Sequence, residues 1–136
     1  MRTDEARWLR LEPQPGETLR SALERTLRDA IRGGVLRPGV RLPSSRALAA
    51  QLGISRGVAS DAYEQLAMAY GRKGDIADAD LASAQAAFAR GDNKTARELA
   101  ARAKMRFPIG SPGWVRADDI VAFNKNLKQN PLRAGP

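Results

Sequence analysis

Apolar residues return with a helical period over the early part of this chain. Leu19, Ala22, Leu23, Thr26, Leu27, Ala30 and Ile31 fall at i, i+3, i+4, i+7, i+8, i+11 and i+12. That spacing predicts a helix with one buried stripe. Thr18, following Pro15-Gly16, is placed to cap it, and Gly33-Gly34 to end it. The opposite face carries Arg20, Arg25, Arg28 and Arg32 with Glu24 and Asp29. Glu24 and Arg28 form an i,i+4 pair in the favourable order. These charges read mainly as a solvated face. Ahead of the helix, Arg7-Trp8-Leu9-Arg10-Leu11 reads as a short extended segment with Trp8 as a packing residue.

The stretch GVLRPGVRLPSSRALAAQLGISRGVASDAYEQL, from Gly34 to Leu66, reads as a helix-turn-helix. An apolar turn, VLRPG, leads in. Ser44 or Ser45 caps a helix carrying Leu48, Ala49 and Leu52, and Gly53 stops it. Ile54 fills the turn and Ser55 caps a second helix. Such caps accept a bond from an otherwise unpaired amide and contribute about 1 kcal/mol. Two helices joined by a tight glycine-containing turn can present the second helix to a DNA groove. On that second helix Val58, Ala59, Ala62, Tyr63 and Leu66 make the expected buried side, leaving Arg56, Gly57, Ser60, Asp61 and Glu64 outside. The plainer alternative is a helical hairpin that uses the same caps for packing alone.

Chemistry follows from those outward residues. Arg56 can read guanine with its fork, Gly57 allows close backbone approach, and Ser60, one turn on, can bond a base edge or phosphate. Ser44, Ser55 and Arg46 are placed for the phosphate backbone. Asp61 and Glu64 repel phosphate and belong away from it.

The same stretch resembles the winged helix-turn-helix of the GntR transcription regulators, and within them the MocR-like branch. The resemblance rests on Gly34, Leu36, Pro38-Gly39, Leu42-Pro43-Ser44, Arg46, Leu48-Ala49, Leu52-Gly53, Ser55-Arg56, Ala62-Tyr63 and Leu66. It implies duplex DNA as partner and Arg46 and Arg56 as contacts. It also implies a two-stranded wing after the second helix. Here AMAYGRKGDIADADLASAQAAF follows instead, with no period-2 alternation. The wing is expected to be missing, which would leave a short Val40-Arg41-Leu42 strand without sheet partners. The pyridoxal-phosphate domain of MocR-type proteins is absent too, so no cofactor is expected.

Gly74-Asp75 and Gly91-Asp92 are 17 residues apart, half of a 34-residue tetratricopeptide period. Small residues fall at Ala79, Ser83 and Ala86, and again at Ala96, Ala100 and Ala103. Helices at about 76–90 and 93–107 are expected, with Gly-Asp turns, as a tetratricopeptide-like α-hairpin. Ser111-Pro112-Gly113-Trp114 reads as a loop into a last helix at 114–127, with Trp114 closing the hairpin. Asp118-Asp119 read as charges at that helix's N-terminus, and Lys125 to Pro136 as a frayed basic tail. Residues 67–123 also resemble the C-terminal end of bacterial M48-type metallopeptidases. The zinc-binding HExxH helix of that family is not in this sequence, so the resemblance implies no protease activity.

Composition narrows the functions. Residues 1–66 hold 11 Arg and no Lys against 8 acids, and residues 67–136 hold 7 Arg and 5 Lys against 7 acids. The net charge of +8 favours an acidic partner such as nucleic acid. With no Cys and no His, zinc catalysis and a Ser-His or Cys-His pair are excluded, and no metal site is expected. No apolar run nears the roughly 20 residues of a membrane span. The polar start MRTDEARWLR carries no signal-peptide core, so the cytoplasm is the expected compartment.

The reading is therefore a mainly α protein: a GntR-like DNA-binding unit over 1–66, then a helical unit over 67–136, with one helix able to run through the junction. The expected function is sequence-specific transcription regulation without catalysis, with homodimer or protein partners through the C-terminal helices and no membrane. The alternative is a tetratricopeptide-type interaction module, a gene-fusion product with a vestigial DNA-binding headpiece.

Overall fold

The computed structural model describes residues 11–35 and 43–129, with side chains up to Phe123. Trp8, the Val40-Arg41-Leu42 strand with most of the turn before it, and the tail beyond Gln129 lie outside the described residues. The described residues form six helices, in order α1 (Leu19–Arg32), α2 (Ser45–Leu52), α3 (Arg56–Lys73), α4 (Ile76–Ala89), α5 (Asn93–Arg106) and α6 (Pro112–Gln129). Among the described residues there is no strand. The segment where a wing would follow the second motif helix is helical apart from the turn at Gly74-Asp75.

Local chemistry sets the helix ends. Thr18 Oγ1 accepts from the Ser21 amide at 3.0 Å and opens α1. Ser44, rather than Ser45, caps α2, its hydroxyl accepting from the Ala47 amide. Gly53 ends α2 at a φ of 65°, a left-handed conformation that costs glycine little. Ser55 caps α3 by accepting from the Val58 amide. α3 runs unbroken across Leu66 and stops at Gly74, with a φ of 84°. The last helix starts two residues earlier than its sequence suggests. Pro112 fits the first helical position because its missing N–H has no partner to lose there. Asp118 and Asp119 therefore lie beyond the first turn of α6, a correction to their reading as N-terminal charges. Asp118 instead accepts from Lys104 Nζ at 2.7 Å. The backbone of residues 125–129 is helical, a correction to their reading as part of a frayed tail.

The core lies in two clusters that meet at α4. Leu23, Leu27 and Ile31 of α1, Leu48 of α2, and Ala62, Tyr63, Leu66 and Tyr70 of α3 form the first, and Ala82 and Ala86 of α4 complete it. Leu81, Ala84 and Ala87, on the other side of α4, pack with Ala96, Ala100, Ala103, Phe107, Ala117 and Ile120 in the second. Alanine on both sides of α4 lets three helices approach closely. The bulk that they lack comes from Tyr63 and Tyr70, both buried; burying a large apolar side chain contributes about 1.5–3 kcal/mol. The Tyr63 hydroxyl donates to the Pro43 carbonyl. The Tyr70 hydroxyl has no hydrogen-bond partner among the described residues. Burial, helped by Asp78 and Asp75, pushes its pKa up.

Candidate nucleic-acid interface

The helix-turn-helix is formed as its caps predict. α2 and α3 are joined by Gly53, the buried Ile54 and Ser55. Ile54 and Leu48 anchor the turn in the first cluster. Ser55, Arg56 and Gly57 stand exposed at the N-terminus of α3, and Arg46 is exposed on α2. Ser44 is half-buried at its cap. The positive end of the α3 dipole and its outward amides suit an anion.

Helix α4 changes the electrostatics of this face. The Arg56 Nε donates to the Ala89 carbonyl oxygen at 3.0 Å. That bond lies at the C-terminus of α4, where carbonyls lack helical partners and favour a cation. Arg46 lies over two aromatic rings, its guanidinium carbon 5.6 Å from the Phe88 centroid and 5.8 Å from that of Phe123. The rings meet edge to face at 5.0 Å. A guanidinium on aromatic faces is held by attraction to the ring quadrupole.

Ser60 is a correction. Its side chain does not face outward but is buried, 4% exposed. The hydroxyl donates to the Ala86 carbonyl oxygen at 2.9 Å, and Arg90 reaches it at 3.5 Å. The cause is α4, which packs along this side of α3. Asp61 and Glu64 stay toward solvent, neutralised by Arg20 and Arg90 respectively.

Sequence reasoning missed Phe88, Phe123 and Gln85. Gln85, 1% exposed, accepts from the Ser45 amide through Oε1 at 2.9 Å. These residues sit in the Ala-rich half and look like core positions; no local pattern ties them to α2. Among the described residues no group of His, Cys, Asp or Glu could hold a metal ion. No helix of the described residues is long and apolar enough to cross a membrane.

This geometry defines a helix-turn-helix protein. Residues 18–69 match the family described as bacterial regulatory proteins, gntR family, and carry its helix-turn-helix domain. The chain is 41% identical over 59 residues to the HTH-type transcriptional regulator Rv1152 of Mycobacterium tuberculosis, a match over 43% of this chain and 49% of that protein. It is 44% identical over 57 residues to the HTH-type pyridoxine biosynthesis transcriptional regulator PdxR of Corynebacterium glutamicum, over 42% of this chain and 13% of that one. No solved structure matches the chain.

Proposed function

We propose that this chain is a sequence-specific DNA-binding transcriptional regulator of the cytoplasm, with no catalytic activity, docking α2 and the N-terminus of α3 on duplex DNA. The observation that carries the reading is the α2–turn–α3 pair, closed by Ser44, Gly53 and Ser55, within a segment that matches a family of bacterial regulators. Arg56 is assigned to base edges, Gly57 to close backbone approach, and Ser44, Arg46 and Ser55 to phosphates. Ser60 joins them only where α4 withdraws. The MocR-like assignment rests on the spaced residues from Gly34 to Leu66. A homodimer through the C-terminal helices would supply the second recognition helix, which a two-site operator needs about 34 Å away.

The test is fluorescence anisotropy of labelled duplex with the full chain across a salt series. On the order of 4 phosphate contacts give a log–log slope near roughly −3.6. Arg56→Ala costs about 1–3 kcal/mol on the preferred sequence and flattens the preference. Arg46→Ala weakens all sequences alike and reduces the slope by about 1. Lys104 and Arg106 are the controls, since Asp118 and Asp80 already pair them. If changing those two abolishes binding while Arg46 and Arg56 are dispensable, the helix-turn-helix reading fails.

A second reading keeps the α4–α5 hairpin as a tetratricopeptide-type interaction unit. Met105 and Ile109, each 87% exposed at the end of that hairpin, favour it. Binding to duplex that is weak and independent of salt would support it over the first.

A further inference from the structure

A groove of about 200 Å³ opens between the headpiece and α4, lined by Ser45, Arg46, Ala49, Arg56, Phe88 and Ala89. It has two guanidiniums and no carboxylate among its lining side chains. Both guanidiniums are held in place, Arg46 against Phe88 and Arg56 through its Nε on the Ala89 carbonyl. Among the described residues, neither guanidinium makes a further hydrogen bond or ion pair. Ser45 lines the groove while 2% exposed, and its hydroxyl has no hydrogen-bond partner among the described residues. A buried hydroxyl left unpaired is unfavourable unless something bonds it. The rest of the lining is apolar: Ala49, Ala89 and the ring of Phe88.

We propose that this groove binds a small organic acid, its carboxylate between Arg46 and Arg56 with the Ser45 hydroxyl as a further donor, and its apolar body against Phe88. Donors without acceptors select an anion, and planar guanidiniums match a carboxylate's two oxygens. Apolar walls select an organic acid over an inorganic ion. The volume is below the roughly 300–1,000 Å³ of sites for drug-sized ligands, which sets the body at one ring or a short chain. The site shares Arg46 and Arg56 with the proposed DNA-binding face, and because it is tested with no DNA present its failure is distinguishable from failure of that reading.

The experiment is calorimetric titration of the full chain at low salt with benzoate, benzyl alcohol and inorganic phosphate as probes. Benzoate is expected to bind at one site per chain, with benzyl alcohol silent and phosphate about tenfold or more weaker. Ser45→Ala removes an unpaired hydroxyl and is expected to melt as the parent does, yet to bind benzoate about tenfold more weakly, the loss of one charge-assisted bond. Arg46→Gln, at an exposed position, is expected to weaken benzoate at least as much, and it keeps the test alive if Ser45→Ala fails to fold. The proposal is overturned by any of three results: no saturable benzoate binding, benzoate affinity unchanged in the folded variants, or phosphate bound as tightly as benzoate.

Discussion

The Ser60 hydroxyl is bonded to the Ala86 carbonyl oxygen, so the second turn of α3 is fastened to the later turns of α4. The residue that sequence pattern turns toward a DNA groove is turned toward the protein's own backbone. Ser60→Ala removes one buried hydrogen bond and should lower stability by about 1 kcal/mol. Duplex affinity should stay within about twofold. A thermal melt and an anisotropy titration on the same sample decide it. An unchanged melt with binding lost about tenfold would place Ser60 on DNA and α4 elsewhere in the complex.

Cutting the chain after Leu66 divides α3 and removes Tyr70, Ala82 and Ala86 from the first cluster. The side of α3 that α4 covers would then face water. The fragment 1–66 should lose its cooperative transition and expose apolar surface. Urea unfolding followed by circular dichroism measures this. A fragment with the full chain's midpoint would show that the headpiece does not depend on α4.

Gly113 sits in the first turn of α6 with the Phe107 ring against it. A Cβ there would fall 2.5 Å from a ring carbon of Phe107. Phe107 is itself buried in the second cluster, so the ring has little room to move. Gly113→Ala should destabilise by about 1–3 kcal/mol, as overpacking does. The control is Gly71→Ala, whose Cβ would meet open space and which should raise stability through helix propensity by about 1 kcal/mol. Equal melting shifts for the two variants would contradict this account.

Acid should weaken the N-terminal region first. Arg25 donates two hydrogen bonds to the Glu17 carboxylate, both at 2.9 Å, and holds its pKa down at about 2. Asp92 is lowered too, chiefly by the Thr95 hydrogen bonds at the start of α5. A folded pKa below the unfolded value means the unfolded chain binds more protons between the two. The Glu17 contribution is complete above its ordinary value of 4.5 and is lost as pH falls toward about 2. Both groups are solvent-accessible, so the effect is modest and falls with added salt. In a melt series from pH 5 to pH 2, Glu17→Gln should start lower and decline less steeply. A parallel decline would exclude the Glu17–Arg25 pair as a source of acid sensitivity.

Much of this architecture is written locally. Thr18, Ser44, Ser55 and Gly53 mark helix ends because a cap acts within one turn, and so within reach of the sequence pattern. Gly74 and Gly91 mark turns for the same reason, and the stripe Ala96, Ala100, Ala103 predicts the face that α5 buries. The meeting of faces is not local. Ser60 and Val58 look alike in period to Arg56 and Ala59, and only the arrival of α4 decides that Ser60 goes inside. α3 is covered by α1 and α2 on one side and α4 on another, which blurs the single apolar stripe that a reader seeks. Arg46 is legible as a basic residue on a motif helix. Its seat on Phe88 and Phe123 depends on two later helices and leaves no mark near position 46.

The position of α4 would make any reading of Ser60 by DNA a matter of populations. A duplex that reads Ser60 can engage only molecules in which α4 has swung clear, and its observed dissociation constant is the intrinsic one divided by that competent fraction. If opening costs about 2.7 kcal/mol, roughly one molecule in a hundred is competent and binding weakens about a hundredfold. Occupancy of an operator would then respond to substitutions at Ala82 or Ala86, residues that never approach a phosphate, as strongly as to substitutions at the reading helix itself.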